Sequence, residues 1–344
     1  MIWLHFILSA GLVVGGGFYL ARHGQELGER HGLTDIWVGF IFLAAVTSIP
    51  ELSTALGAVT VAASPALALS DVLGSNSFNL FALGVIGIFL FRRPLSGSLP
   101  KKSFLLLIGM IILMTGLVLG PALFDREGSL PSPGRISLVS WALLFIYLFG
   151  SWKLFRDEHP AERINPSVEP PVKKSALPRY FYPRLLLSVI LVVAGGFWLA
   201  WSGSKISGLT GWGDGFVGAL FLALITSLPE ISVCLGAVKI CAPGMALGNI
   251  LGSNVFNLGI IFWADLAYRP GSILANASAP VLITAGLGIV LAGLFALTLK
   301  ARPAAAGREE LLLNLIIILV YLLGMRWIFR LSAGVGGWNV LSPG

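Results

Sequence analysis

Charged side chains are scarce in this chain of 344 residues: they make up only 11% of it, whereas 56% of the residues are hydrophobic. The mean hydropathy is +0.88. A water-soluble domain of this composition would have to expose a large apolar surface. The low charge therefore excludes the soluble globular classes and predicts an integral membrane protein.

Cysteine and histidine are also rare. Cys234 and Cys241 fall within and at the end of one apolar run, so we expect buried apolar side chains and no disulfide framework. The four histidines are scattered without metal-ligand spacing, and we assign them no chemistry. The sequence has no HExxH motif, no paired aspartate motif of a protease and no serine nucleophile with a base. We therefore expect neither an enzyme nor a bound cofactor.

Long apolar runs are abundant and recur about every 30 residues. Each is near the roughly 20 residues that a helix needs to cross a hydrocarbon core about 30 Å thick. The pattern predicts an all-α membrane protein with ten transmembrane helices. The predicted spans are residues 2–20, 35–61, 65–91, 103–123, 136–154, 184–202, 213–238, 243–267, 278–298 and 309–329.

The distribution of basic residues predicts the orientation of these spans. Ten spans place both termini on the same side, and with both termini outside, 17 of the 23 Lys and Arg residues lie on the inner side. This asymmetry follows the positive-inside rule. We expect a multi-pass protein of a bacterial or archaeal plasma membrane with both termini outside. The pI near 9.6 is then an orientation signal, and we expect no nucleic-acid partner.

One long hydrophilic segment divides the chain. Residues 156–183 are rich in proline and mixed charge, which predicts a cytoplasmic linker. The segment separates a first transmembrane repeat, residues 1–155, from a second, residues 184–344. Each repeat contains five predicted spans. Because five is an odd number, the second repeat enters the membrane from the side opposite to the first. Any internal repeat must therefore have inverted topology.

A repeat is present in the sequence. The segment "TSIPE" at 47–51 recurs as "TSLPE" at 226–230, an offset of 179 residues, and "GSNSFN" at 74–79 recurs as "GSNVFN" at 252–257, an offset of 178. Two coupled motifs in the same order in both halves are an internal duplication. We predict two inverted five-helix repeats in which helices 2, 3, 7 and 8 are discontinuous.

The repeated motifs place Glu51 and Glu230 in the middle of predicted spans. A carboxylate at this depth costs about 2.5 to 3.5 kcal/mol even on a lenient insertion scale. No Lys or Arg lies inside the second, third, seventh or eighth predicted span to pair with it. The remaining partner is a bound cation.

The residues around each glutamate supply hard oxygen ligands. Pro50 and Pro229 remove a helical hydrogen bond and free a carbonyl in the preceding turn. Hydroxyl and amide side chains recur at helical spacing, which places them on the face of the carboxylate. This oxygen-only set suits Na⁺, Ca²⁺ or Mg²⁺ and disfavours copper or zinc. These side chains are Thr47, Ser48, Ser75, Asn79, Thr226, Ser227, Ser253 and Asn257.

Together, the paired "TSIPE" and "TSLPE" segments and their following "GSN" segments resemble the alpha repeats of the cation/calcium exchanger superfamily, especially those of prokaryotic sodium/calcium exchangers. The resemblance covers spans two and three and spans seven and eight. It implies that Glu51 and Glu230 are the central ligands and that the backbone carbonyls of Ala44 and Ala223 join the hydroxyls around the ions. It places Asn79 and Asn257 at the polar position that faces the centre from spans three and eight.

Four positions depart from the family's usual pattern. Val46 and Ile225 stand where glycine is common before the Thr-Ser pair, and a branched residue there is expected to stiffen the helix break. Asn257 occupies a position where some members carry aspartate, which argues against a third central carboxylate and against potassium coupling. Asp71 stands where the second repeat has Asn249; it is either an extra carboxylate at the outer mouth or, as we expect, a solvated or helix-linking carboxylate. We expect Asp214 and Asp265, which lie close to span ends, to be interface residues.

The sequence thus predicts an antiporter that exchanges Na⁺ for Ca²⁺ by alternating access at one central site, with spans one and six moving across the other helices. Its expected partners are the two ions and the lipid bilayer, with no obligatory protein partner. An antiporter that couples calcium or another divalent ion to protons, through titration of Glu51 and Glu230, is an open alternative. A channel or an intramembrane enzyme fits less well, because channels favour rings of ligands.

Overall fold

The described part of the chain is helical throughout. The computed structural model describes residues 1–30, 43–89, 101–124, 136–158, 180–239, 242–300 and 306–334, and no β-strand occurs in them. The prediction of an all-α protein is confirmed. Cys241, residues 35–42 of the second predicted span and residues 159–179 of the predicted linker lie outside the described residues.

The helices of the first half follow one another in order of the predicted spans. Their bounds are α1 Ile2–Arg30, α2 Ala44–Thr47, α3 Ile49–Thr60, α4 Pro65–Phe89, α5 Lys101–Phe124 and α6 Leu138–Glu158. The short α2 and the longer α3 are separated by one residue.

The described residues of the second half are also helical. Its helices are α7 Phe181–Thr210, α8 Asp214–Phe216, a π-helical segment Val217–Leu222, α9 Ala223–Thr226, α10 Leu228–Lys239, α11 Pro243–Ala267, a 3₁₀ helix Ile273–Asn276, α12 Ala279–Lys300 and α13 Ala306–Ser332.

Seven helices among the described residues are long and apolar enough to cross a membrane, and the count rises to eight if the bent pair 214–226 and 228–239 is one span. Two predicted spans, 65–91 and 243–267, match α4 and α11 closely, but each is one continuous helix, so the prediction that helices 3 and 8 are discontinuous is wrong. The sixth differs, because α7 continues eight residues beyond the predicted end at 202. The structure is that of a multi-pass membrane protein, while the count of ten spans stays a prediction.

Helices α4 and α11 form the centre of the bundle. Both contact each other, and α11 is buried over almost its whole length. Helices α1 and α7 pack against each other at the side and expose large apolar residues such as Leu4 and Leu186. Such an exposed apolar face is stable in contact with lipid chains. The polar residues of the bundle are therefore concentrated in its centre, away from lipid.

Asp265 stabilises one end of this centre. We expected it at the interface because it lies near a span end, but it is buried and accepts hydrogen bonds from the Ser140 hydroxyl at 2.6 Å and from the backbone N–H groups of Ser137 and Ile273 at 2.9 and 2.7 Å. It therefore joins α11 to the start of α6 and to the 3₁₀ helix. Cys234 is buried and free, as predicted.

Candidate cation site

Within the described residues, a helix of each half is interrupted at the serine of the repeated motif. Ser48 separates α2 from α3 with φ −87° and ψ 9°, and Ser227 separates α9 from α10 with φ −83° and ψ 0°. Pro50 and Pro229 follow two residues later, where the missing N–H leaves a carbonyl of the preceding turn without its helical donor. In the second half, the two parts of the helix differ in direction by 43°. Each serine therefore lies at a helix break inside the bundle.

The break also starts a new helix at each carboxylate. Glu51 lies in the first turn of α3 and Glu230 in the first turn of α10. The positive end of a helix dipole stabilises an anion there by about 0.3 to 1 kcal/mol. Both residues have 0% exposure, and removing a charge from water costs several kcal/mol. The dipole alone does not offset this cost.

The two halves meet at the carboxylates. The Ser48 hydroxyl donates to Oε1 of Glu230 at 3.2 Å, and the Ser227 hydroxyl donates to Oε1 of Glu51 at the same distance. Each carboxylate is thus bound by the serine at the break of the opposite half. This reciprocal pair of contacts brings both acidic groups to one place in the bundle.

One oxygen of each carboxylate has no partner. Oε2 of Glu51 and Oε2 of Glu230 accept no hydrogen bond, and neither residue forms an ion pair within the described residues. A buried, unpaired carboxylate oxygen is costly. The geometry therefore fits the sequence argument that a cation balances these groups.

Threonine and serine hydroxyls flank each carboxylate. On one side, Thr47 Oγ1 lies 3.3 Å from the Ser253 hydroxyl, which also lies 3.5 Å from the carbonyl oxygen of Ala44. On the other side, Thr226 Oγ1 lies 3.3 Å from the Ser75 hydroxyl and 3.4 Å from the carbonyl oxygen of Ala223. Each cluster joins a broken span of one half to the central helix of the other half.

Four asparagines cross-link the central helices. Asn76 Nδ2 donates to the carbonyl of Asn254 at 3.0 Å, and Asn254 Nδ2 donates to the carbonyl of Asn76 at 3.1 Å. Asn79 Nδ2 donates to Oδ1 of Asn254 at 2.9 Å, and Asn257 Nδ2 donates to Oδ1 of Asn76 at 3.2 Å. We name these four residues the amide clamp. It holds α4 against α11.

The amide clamp also orients two oxygens. Because the Nδ2 groups of Asn79 and Asn257 donate within the clamp, their Oδ1 atoms are acceptors, and both are buried without a donor. Such oxygens can bind a cation. Sequence reasoning missed Asn76 and Asn254, although both occupy the Asn of the repeated "GSN" motif.

All twelve residues predicted for the site are buried. The contacts above bring the carboxylates, the hydroxyls and the two alanine carbonyls together in reciprocal groups, whereas Asn79 and Asn257 bond to asparagines of the opposite half. No group of three or more His, Cys, Asp or Glu residues in the described ranges is placed to bind a metal by itself. A cation bound here would depend on hydroxyl, amide and carbonyl oxygens as much as on carboxylates.

The expectation that Asp71 is solvated is wrong. We expected a solvated or helix-linking carboxylate, but its side chain has 0% exposure and neither oxygen accepts a hydrogen bond. It lies close enough to Glu51 to be affected by its charge and faces the hydroxyl of Thr226. Asp71 is therefore part of the same polar centre.

The chain is similar to several known proteins. It is 25% identical over 334 residues to the sodium/calcium exchanger MaX1 of Methanosarcina acetivorans, a match that covers 85% of this chain and 91% of that protein. It is 27% identical over 277 residues to the putative antiporter CaxA of Alkalimonas amylolytica, with 78% and 82% covered. Both matches extend over most of each protein.

A solved structure shows the same fold. The sodium-calcium exchanger NCX_Mj, soaked with Na⁺ and Sr²⁺, matches with a TM-score of 0.61 and 19% identity, covering 95% of this chain and 99% of that chain. The sequence model of the family described as "Sodium/calcium exchanger protein" matches residues 1–154 and 182–330. Because these matched residues form most of the chain and include both copies of the repeated motifs, the chain belongs to the sodium/calcium exchanger protein family.

Proposed function

We propose that this protein is a secondary antiporter that exchanges Na⁺ for Ca²⁺ across the membrane. The observation that carries the proposal is the pair of fully buried carboxylates, Glu51 and Glu230, each with one oxygen that has no partner in the described residues. Membership of the sodium/calcium exchanger protein family supports cation exchange. The protein needs no catalytic group, cofactor or protein partner for this function.

Charge explains why the two ions would exclude each other. Glu51 and Glu230 together carry a formal charge of −2, which one Ca²⁺ neutralises and which Na⁺ ions neutralise when two bind. Ca²⁺ prefers six to eight oxygen ligands. The hydroxyls of Ser48 and Ser227, which already contact the carboxylates, would contribute to this set. An ion of one kind must therefore leave before the other kind binds, which is the condition for exchange.

The two hydroxyl clusters would hold the monovalent ions. Thr47, Ser253 and the Ala44 carbonyl form one group of oxygens, and Thr226, Ser75 and the Ala223 carbonyl form the other. Asn79 Oδ1 and Asn257 Oδ1 would face the centre from α4 and α11.

Alternating access would come from movement of α1 and α7 across the remaining helices. Inverted repeats provide two mirror-related conformations that open one site to opposite sides in turn. Gly17 of α1 faces the ring of Pro229, and Gly196 of α7 faces the side chain of Ser53. Both contacts lie within three residues of a helix-breaking proline, so movement of α1 or α7 would act directly on the site.

We also propose a cell-membrane location with both termini outside, as the basic residues predict. Pro65, at the start of α4, would then lie near the outer surface, and Pro243, at the start of α11, near the inner one. Labelling of a cysteine introduced in the exposed N-terminal turn of α1 by an impermeant reagent in intact cells tests the orientation.

The function is tested with purified protein in liposomes. Ca²⁺ uptake is measured after imposing an outward Na⁺ gradient, an outward proton gradient, or neither. We expect uptake driven by the Na⁺ gradient and little response to the proton gradient. Ca²⁺ uptake that depends on the proton gradient and not on Na⁺ would show that the protein is a proton-coupled antiporter that uses the same two glutamates. Single-channel currents would show that it is a channel and not an antiporter.

A further inference from the structure

Asp71 is a carboxylate that the exchange mechanism above does not use. Its exposure is 0%, and both of its oxygens lack a hydrogen-bond donor in the described residues. Other acidic residues near the span ends are satisfied: Asp265 accepts three hydrogen bonds and Asp214 accepts one from Ser64. A buried carboxylate with two unpaired oxygens calls for a positive partner.

Close helix packing holds Asp71 in place. A Cβ atom at Gly218 would lie 3.1 Å from the backbone nitrogen of Asp71, and one at Gly74 would lie 2.5 Å from the Cα atom of Ala219. These two glycines let α4 approach the π-helical segment at backbone distance. Asp71 lies one helical turn before Ser75, whose hydroxyl is 3.3 Å from Thr226 Oγ1, and both Thr226 and the Glu51 charge act on its carboxylate. Its unpaired oxygens are therefore on the side of the candidate cation site.

The residue equivalent to Asp71 in the second half is neutral and fully hydrogen-bonded. Asn249 occurs 178 residues after Asp71, and its Nδ2 donates to the carbonyl oxygen of Glu230 at 3.1 Å. Its Oδ1 accepts from Thr47 at 3.3 Å. The amide is thus neutral and satisfied at both ends. Asp71 replaces it with a charged group that has no donor, so the two sides of the site differ by one unit of formal charge.

We propose that Asp71 provides an additional charge for a monovalent cation on the side of the site formed by Thr226, Ser75 and the Ala223 carbonyl, beside Glu51. This inference rests on the proposed function. With Asp71, the three carboxylates carry a formal charge of −3, and a Ca²⁺ between the two glutamates leaves −1. When Na⁺ replaces Ca²⁺, one further monovalent ion neutralises this remaining charge, so Asp71 favours Na⁺ in its competition with Ca²⁺.

The consequence is that the two monovalent positions are unequal. The position beside Asp71 binds Na⁺ more tightly than the position beside Asn249. Competition between Na⁺ and Ca²⁺ then depends on the identity of residue 71 more than on that of residue 249.

The test is the variant Asp71→Asn, which places at 71 the residue that the protein already uses at 249. Because Asn249 is accommodated in the matched surroundings, we expect the variant to fold, and a thermal unfolding scan in detergent checks this. Equilibrium binding of radioactive Ca²⁺ to the purified full chain gives the Ca²⁺ Kd, and titration with NaCl gives the Na⁺ concentration that displaces half of it. The exchanged variant Asp71→Asn/Asn249→Asp is the matched control.

We expect Asp71→Asn to raise the half-displacing Na⁺ concentration by about tenfold and to lower the steepness of displacement, since one charged ligand is lost. The Ca²⁺ Kd should change by no more than about threefold. The exchanged variant should recover part of the Na⁺ sensitivity, because the charge returns on the other side.

Two results would overturn the inference. If Asp71 acted only as a distant charge, its removal would weaken binding of the divalent ion about twice as much in free energy as binding of one monovalent ion, because the Coulomb energy scales with charge. A larger loss for Ca²⁺ than for Na⁺, or no change for either, therefore excludes a Na⁺ position at Asp71. Should Asp71→Asn fail to fold, the same titration on Asp71→Ser decides. If Na⁺ does not displace Ca²⁺ from the unmodified protein, the proposed function has failed instead.

Discussion

In the first half of the chain, Glu51 accepts a hydrogen bond from Ser227, and in the second half Glu230 accepts one from Ser48, both at 3.2 Å. The amide clamp is reciprocal in the same way. One pair of equivalent residues on α4 and α11 differs between the halves. In the first half it is Asp71, which has two unpaired oxygens, and in the second half it is Asn249, which forms two hydrogen bonds.

This difference indicates which parts of the site act as pairs. A divalent ion between the halves needs one carboxylate from each, so the two glutamates and their serines are equivalent. A residue that lies beside only one of the two carboxylates contacts an ion on that side alone. Such a residue can therefore differ between the halves without changing the site on the other side. The predictions below test whether the pairs are equivalent in function.

The largest effect is expected from Glu51→Gln and Glu230→Gln. Glutamine keeps the size of the side chain and an acceptor for the serine, but it removes one of the two charges that balance Ca²⁺. We expect each variant to lower Ca²⁺ flux in liposomes by about 100-fold or more, since a charged ligand in a buried site is lost. Both variants should be affected alike.

The control for this prediction is Glu309→Gln, because Glu309 is an exposed carboxylate in the first turn of α13. It should transport at the rate of the unmodified protein. If Glu230→Gln retained substantial flux while Glu51→Gln did not, the carboxylates would not share one ion.

The amide clamp gives the next prediction. Asn76→Ala removes one donated and one accepted hydrogen bond, and Asn254→Ala does the same. We expect each to lower the free energy of unfolding by about 1 to 2 kcal/mol. Thermal unfolding in detergent measures this loss, and Asn79→Ala, which removes a single bond of the clamp, should cost less. Equal costs for Asn79→Ala and Asn76→Ala would show that the clamp does not hold the helices.

A smaller effect is expected where α1 contacts the second half. A Cβ atom at Gly17 would lie 2.5 Å from Cγ of Pro229, so Gly17→Ala must displace the proline beside Glu230. Overpacking costs about 1 to 3 kcal/mol. We expect Ca²⁺ flux to fall by about tenfold. Gly15→Ala is the control, because a Cβ atom at Gly15 meets nothing within 4 Å. Equal Ca²⁺ flux in Gly17→Ala and Gly15→Ala would contradict the proposal that α1 moves past Pro229 during transport.

Much of the fold could be predicted because membrane helices have a strong composition signal. The bounds predicted for α4 and α11 are close to those observed, since a proline starts each helix. Glu51 and Glu230 were found because a carboxylate in an apolar run is costly and because the motif occurs twice. The positions of Ser48 and Ser227 relative to the opposite glutamate depend on how the halves pack, which residue spacing along one helix does not report.

The errors have a common physical cause. Asp71 and Asp265 lie near the ends of their spans, and we took distance from the span end as a measure of exposure. Burial at Asp71 comes instead from close packing of α4 on the π-helical segment, where Gly74 and Gly218 lack side chains. Asp265 is buried because the start of α6 and the 3₁₀ helix cover it. Asn76 and Asn254 of the clamp were missed for another reason, because we considered only residues on the glutamate-facing side.

The smallest expected effect comes from the two serines at the helix breaks. Ser48→Ala removes the hydrogen bond to Glu230, and Ser227→Ala removes the bond to Glu51. A hydrogen bond to a charged group contributes about 1.5 kcal/mol, but a bound cation takes over part of this stabilisation, so we expect the Ca²⁺ Kd to rise by about fivefold in each variant. Equilibrium Ca²⁺ binding measures both. Because each serine contacts the carboxylate of the other half, equal effects would show that one ion bridges the halves, whereas an effect confined to Ser227→Ala would place Ca²⁺ on the side of Glu51 and Asp71 alone.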